Sequence, residues 1–307
     1  MGNNQNETKK PIVGIMVSLV APFENHIANG GEKLLGNASS IKRLPDGRVY
    51  VSGQMQRHVF FSALKRLNGL DPKRGDTIVS NADGITNDIS LDLRADLGGY
   101  MHPSEGQNSE RRTGALSVTV AVAKNESRVK NDLLNRVATN PELDPALATK
   151  EFSQHDEMIM NFYLDLMSLS ITENPVYEGG WNVRIEYNNH GIDDNERRRR
   201  AKLFLQATAL MNDYANQARN AVCGEPEKVI IVFDTIASRK ASRYFMVSGE
   251  VQKNVQDNIE AELKAREAAF FKGDDTTGES VHQAYKDALK FLEEAELYTP
   301  CLDISTK

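Results

Sequence analysis

The chain has 307 residues, 40% hydrophobic and 26% charged, enough for one elaborated globular domain or two small ones. A net charge of −6 argues against a protein that grips nucleic acid with its whole surface, while leaving room for a confined basic groove. No apolar run approaches the ~20 residues of a membrane span, Met1 to Lys10 lack the apolar segment of a secretory signal, and Cys223 and Cys301 stand far apart, as reduced thiols of a cytoplasmic protein would.

Residues 11–21 are a continuous apolar, β-branched run that predicts a central strand. A polar loop with permissive glycines follows, carrying Glu24, Asn25 and His26. The Pro45-Asp46-Gly47 turn introduces a second strand over Arg48 to Ser52. The next segment, 53–68, reads as a helix with an apolar stripe of Val59, Phe60, Ala63, Leu64 and Leu67. Its first turns present Gln54, Arg57 and His58, and Ser52 can accept from the unpaired N–H groups of the helix start. The positive end of the helix dipole beside two potential cations suits a phosphate. A merely solvated basic helix end is the alternative.

Residues 69–93 are turn-rich, an excursion from the core, and Leu93 to Met101 is compact with a hinge at Gly98-Gly99. Arg111 and Arg112 precede a strand over 115–123; their planar forks could hold phosphates, or be neutralised by Glu105 or Glu110. Residues 124–155 predict a protruding arm with one short helix, and the Ile159/Asn161/Tyr163/Asp165 alternation predicts a strand over 158–171. A strand over 181–187 follows, its Trp181 read as a core aromatic. Asp194 to Ala221 predicts one amphipathic helix, whose Arg197 to Arg200 run reads as a solvated face because cations oppose the dipole there. Arg219 and Asn220, at its end, could approach a ligand or serve that dipole. A buried strand over 228–234 and polar helices at 251–272 and 279–297 complete the chain. Without regular β-α-β-α alternation, the expectation is an α+β fold, a sheet with a helix behind it and several protrusions.

No CxxC, HExxH, P-loop or GxSxG is present, and the six histidines are scattered, so neither a metal site nor a cofactor is expected. Glu24 and His26 could form an acid/base pair if His58 came close. The preferred reading of His26 is a loop histidine bonded to backbone or phosphate.

In their order, the first strand and loop at 12–31, the Ser-Gly-Gln-x-x-Arg-His start at 52–58, Arg94 to Met101, Arg111-Arg112, and Asn216 to Asn220 before a strand resemble one family. It is the backbone subunit of type I CRISPR surveillance complexes (Cascade), the CRISPR-associated protein seven family of the RAMP superfamily, in its DevR-like form. The resemblance spans about 12–235. It implies a single RRM-like (ferredoxin-like) palm over about 11–68, 93–123 and 157–235, with a finger at about 69–92, a thumb at about 124–156, and a helical region at about 251–297. It also implies that copies polymerise along the guide RNA (crRNA) with other Cascade subunits, and present it to the target DNA strand. Asn25, His26, Ser52, Gln54, Arg57, His58, Arg111, Arg112, Gln217, Arg219 and Asn220 would line the RNA groove, with Leu133, Leu134 or Val137 as a thumb wedge. Gly53 stands where the family often has a second serine. Related type III subunits cut RNA with an aspartate in the first loop; here 22–37 holds Glu24 and Glu32 but no Asp, so no catalytic residue and no nuclease activity is expected. The alternatives are a metal-assisted ribonuclease using Glu24, His26 or Glu32, and a self-assembling structural protein.

Overall fold

The computed structural model describes residues 10–34, 38–81, 86–102, 110–136, 146–177, 183–246 and 249–300. The apolar run becomes β1 (Gly14–His26), followed by a small hairpin of β2 (Glu32–Lys33) and β3 (Ser39–Ser40). β4 (Tyr50–Val51) leads into α1 (Gly53–Leu70). α2 (Leu93–Gly98) opens a two-stranded ribbon of β5 (Gly99–His102) and β6 (Glu110–Thr113). The strand expected at 115–123 is broken into β7 (Leu116–Val118) and β8 (Ala121–Ala123). β9 (Val129–Arg136) and the long β10 (Ala146–Asp165) precede a second ribbon, β11 (Thr172–Tyr177) with β12 (Val183–Asn188). α3 (Asp194–Thr208), β13 (Lys228–Asp234), α4 (Gly249–Ala265), β14 (Ala269–Asp274) and α5 (Val281–Glu294) complete it.

Among the described residues the main sheet has ten strands, and its centre runs β14–β13–β1–β10, with β7, β8 and β9 along the far side of β10. All those central pairings are antiparallel; Ile15 faces Leu164 on one side and Phe233 on the other. Both faces of β1 are covered, which is why its sequence is continuously apolar. Ile15, Val17, Leu19, Ala21 and Phe23 join Phe60, Phe162, Phe204 and α5 in the larger core. Met16 and Val20, one residue out of phase, lie beneath Tyr244, Phe245, Ile259 and Leu263 of α4 and a short 3-10 turn (Lys240–Arg243).

Several expectations are corrected. The arm carries no helix among its described residues: β9 and β10 form a hairpin from Val129↔Ser153 to Arg136↔Ala146. An arm solvated on both faces has no apolar periodicity to mark its strands. Its base is anchored by Ile27, Ile41, Val49, Val129 and Phe152. α3 stops at Thr208 rather than running to 221; the chain continues irregularly, although Tyr214 still packs into the core. The helix expected to reach 272 ends at Ala265, and Ala269–Asp274 extends the sheet beside β13. Gly98-Gly99 is a close approach rather than a hinge: Gly99 has φ +73°, and a Cβ there would collide with the Arg112 carbonyl and Gly114. Trp181 and Val137 lie outside the described residues.

The arginine run is not solvated either. Arg197, Arg199 and Arg200 are buried. Arg197 donates to the carbonyls of Leu166 (2.9 Å), Leu169 (3.2 Å) and Tyr298 (3.0 Å). Arg200 donates to Ile89 O (2.7 Å), Ser90 O (2.8 Å) and Asp96 Oδ2 (2.7 Å), while Arg199 reaches Asp71 Oδ2 (3.0 Å) and Glu196. The guanidinium fork satisfies loop carbonyls several at a time, which a solvated-face reading does not weigh. The dipole is offset by the Asp193 cap (2.7 Å from Glu196 N) and by Asp194 and Glu196 in the first turn. These bonds pin residues of the 69–92 excursion to α3.

Candidate nucleic-acid interface

The loop after β1 and the irregular segment after α3 meet at the base of the arm. Asn25 and Asn216 both hold left-handed backbone (φ +44° and +61°), which asparagine tolerates better than most residues. Asn216 Nδ2 donates to Ile27 O (2.8 Å), and Asn220 Nδ2 donates to Glu24 O (2.6 Å) and Asn25 O (3.0 Å), so the two segments clamp each other. Arg219 Nη2 donates to Asp132 Oδ2 on β9 (2.6 Å), and its buried Nη1 has no hydrogen-bond partner. Asn25, Ile27, Asp132, Phe152, Asn216, Arg219 and Asn220 line a cleft of about 390 Å³ there. Gln217, exposed, turns back to Asn212 O and Asp213 Oδ1, both at 3.2 Å.

The start of α1 belongs to the same region. Ser52 Oγ accepts from Met55 N (3.2 Å), and Gln54 and His58 are exposed. Tyr214 OH donates to Gln56 (3.3 Å), and Ser62 and Arg66 both hold Asp213, which ties α1 to the segment carrying Arg219. Asn29 Nδ2 donates to Lys42 O (3.0 Å) and Tyr50 O (3.1 Å), linking the first loop to the strand before α1.

Three predicted side chains point elsewhere. His26 is fully buried: Nδ1 accepts from Ala28 N (3.5 Å) and Nε2 donates to Asp156 Oδ2 (2.7 Å), whose other oxygen accepts from Ser127 Oγ (2.6 Å). Both ring nitrogens are thus engaged in fastening the base of the arm to β1. Arg57 turns inward, donating to Gly98 O (2.6 Å) and Leu116 O (3.2 Å), and burial draws its pKa below the ordinary value. Arg112 is buried beside Asp96 (2.9 Å) and also donates to Ser168 O (2.5 Å), Ile171 O (3.3 Å) and the Asp96 carbonyl. These guanidiniums each satisfy carbonyls where chain segments converge, a task that their spacing in sequence does not reveal. Arg111 is exposed, on the separate β5–β6 ribbon opposite Met101. Leu133 is exposed on β9, whereas the side chain of Leu134 lies outside the described residues.

The structure therefore gathers Asn25, Arg219 and Asn220 at one cleft, with Ser52, Gln54 and His58 on a helix start tied to it. Asp132, Phe152 and Asn216 were missed; only Asn216 carried a signal, as part of an Asn-rich stretch before a strand. The exposed acid Glu24 pairs with His155 (2.5 Å). Among the described residues, no group of three His, Cys, Asp or Glu side chains is placed to hold a metal ion.

The family model described as the CRISPR-associated negative auto-regulator DevR/Csa2 matches residues 17–232, from within β1 to within β13. Two solved chains share the fold. One, described as "CRISPR RNA-guided surveillance complex", has a TM-score of 0.57 and 15% identity, over 90% of this chain and 98% of that one. Another, described as "CRISPR RNA-guided surveillance complex, pre-nicking", has a TM-score of 0.56 and 11% identity, over 91% of this chain and 100% of the other. No curated protein matches the sequence. With well over half of its length matched by one family model, this chain belongs to the CRISPR-associated DevR/Csa2 family.

Proposed function

We propose that the protein is a non-catalytic subunit that holds crRNA in a type I Cascade effector complex in the cytoplasm. It oligomerises along the guide and, with the other Cascade subunits, presents it for pairing with target DNA in antiviral defence. The observation that carries this reading is the cleft at Asn25, Arg219 and Asn220, in a chain of this family. It combines a guanidinium with one nitrogen unspent, an exposed amide and the Phe152 ring. Such a donor set suits phosphate and ribose, the contacts needed where recognition is delegated to base pairing. The capped start of α1, with Gln54 and His58 outward, supplies a second phosphate position. The order β13–β1–β10–β7/β8, with α1 and α3 on one face, supports an RRM-like palm. The 69–92 segment serves as finger and the β9–β10 arm as thumb. A His26 engaged at both nitrogens and a Glu24 paired with His155 support holding RNA rather than cutting it.

The test is RNA retention by the purified protein, fractionated by size at low and high salt, with the recovered nucleic acid sequenced. Expected are ordered oligomers carrying short, intact RNA. Arg219→Ala and the Gln54→Ala/His58→Ala double variant should each weaken guide binding by about tenfold or more at unchanged melting temperature, and Arg219→Ala, which removes a cation, should also flatten its salt dependence. A protein that carries no RNA and binds no added guide refutes the proposal. Magnesium-dependent shortening of the RNA would replace it with the ribonuclease reading.

A further inference from the structure

The basic cluster Arg239, Lys240 and Arg243 has no part in the cleft. It lies on the 3-10 turn that closes the second face of the sheet. In such a turn residues three apart eclipse, so Ala241 and Tyr244 form one buried ridge while Lys240 and Arg243 form an exposed one. The turn is rigidly seated: Tyr244 OH donates to Glu260 (2.6 Å), and Arg239 stacks 4.5 Å from the centroid of the Tyr163 ring. Lys240 pairs with Glu262, but Arg239 and Arg243 have no ion-pair partner among the described residues. Exposed Ile236, Met246 and Val251 flank the strip. Arginine with methionine and exposed aliphatics is the composition of a protein interface rather than of a polynucleotide groove.

A complementary surface exists on the same chain. The last turn of α5 carries Glu293 and Glu294 and no basic residue, with Glu296 just beyond. All three are exposed, and none has an ion-pair partner among the described residues. Carboxylates at a helix C-terminus oppose the dipole. Arg198, donating to Leu292 O and Ala295 O (2.7 Å), satisfies the helix end without neutralising those acids.

The two surfaces are related by the sheet. Ile12 N donates to Glu296 O (2.8 Å), which puts the acidic end beside the start of β1 on the α5 side. The Tyr163 ring under Arg239 lies over Gly14, which puts the basic strip at that same end of β1 on the opposite face. Copies stacked along the sheet normal would bring one surface against the other, in a heterologous contact that repeats without closing.

We propose that Arg239, Lys240 and Arg243 of one copy meet Glu293, Glu294 and Glu296 of the next, as a head-to-tail contact between copies of this chain. The inference rests on the self-assembly proposed above and assigns its contact. It is tested by charge reversal on the full chain with guide-length RNA, followed by light scattering and sedimentation. Arg239→Glu/Arg243→Glu should weaken association between copies by at least about tenfold, and so should Glu293→Lys/Glu294→Lys, because like charges then face each other. Mixing the two variants should restore long assemblies, since each face again meets its opposite. Assemblies unaffected by either reversal, while RNA is still held, would overturn the contact and leave the functional reading intact. Weaker binding of a short oligonucleotide by monomeric Arg239→Glu/Arg243→Glu would also overturn it, by making the strip a nucleic-acid surface. Failure of every form to bind RNA would instead remove the functional reading, and reversal effects on RNA-free assemblies would still decide the contact.

Discussion

Asp96→Asn tests whether buried charge holds the excursions onto the core. The Asp96 carboxylate is fully buried and accepts four hydrogen bonds. Arg112 Nη2 (2.9 Å) and Ser170 N (2.8 Å) donate to Oδ1; Arg200 Nη1 (2.7 Å) and Ser170 Oγ (2.9 Å) donate to Oδ2. Asparagine keeps the volume, but it removes the charge between two buried guanidiniums and turns an NH₂ toward one of them. Arg200 would retain Glu196 (2.8 Å), whereas Arg112 would be left with carbonyls alone. Breaking one side of a buried pair costs about 3–5 kcal/mol, a large part of the roughly 5–15 kcal/mol that holds a domain together. Urea unfolding would measure the loss, and hydrogen exchange should show β6 and the start of β11 loosening first, since Arg112 bridges Asp96, Ser168 and Ile171. Adding Arg112→Met to Asp96→Asn should cost less than the two single effects summed, because the second change removes a charge that the first stranded. A loss under about 1 kcal/mol for Asp96→Asn would refute the reasoning.

Three further outcomes follow from the local geometry. Ser52→Ala removes the α1 cap and should cost about 1 kcal/mol in thermal unfolding; no change would mean that solvent replaces the cap. Gly99→Ala forces a side chain into left-handed backbone against the Arg112 carbonyl, so it should destabilise by about 1–3 kcal/mol or more, and a neutral result would show that the ribbon moves aside. The Arg66 and Ser62 bonds hold Asp213 down to about 2, against an ordinary 3.8. With the folded value the lower one, this contribution is complete above about pH 4 and disappears as pH falls through about 2. Asp213→Asn should therefore shrink the stability difference between neutral and acid solution by about 1 kcal/mol after solvent screening; an unchanged acid transition would contradict the assignment.

Elements with a strong one-dimensional pattern were legible in the sequence: the apolar run of β1, the stripe of α1, the alternation at 159–165 and the buried strand 228–234. The arm strands, solvated on both faces, had no such pattern, and the continuation of α3 past Thr208 was over-read because Tyr214 is buried without being helical. The family resemblance supplied the polar residues of the candidate site, but not the direction in which they point. Arg57, Arg112 and Arg197 to Arg200 look like surface cations in a linear reading. They are turned inward because loop carbonyls from distant segments converge on them, a fact of tertiary arrangement. Asn25, Arg219 and Asn220, which the family resemblance implies, line one cleft.

Met16, Val20, Ile159, Ile230 and Val232 lie beneath Tyr244, Phe245, Ile259 and Leu263, so the second face of the central strands is spent on packing. A bare four-stranded sheet would offer that face, with its rings, as a platform on which bases stack. This protein has closed it, so on the function proposed above a guide strand would be gripped at the rim by its phosphates and sugars, with its bases left outward. Such a grip would be indifferent to what is written on the strand. On the same proposal one invariant polypeptide would serve every guide a cell acquires, and new immunity would require a new RNA but no new protein.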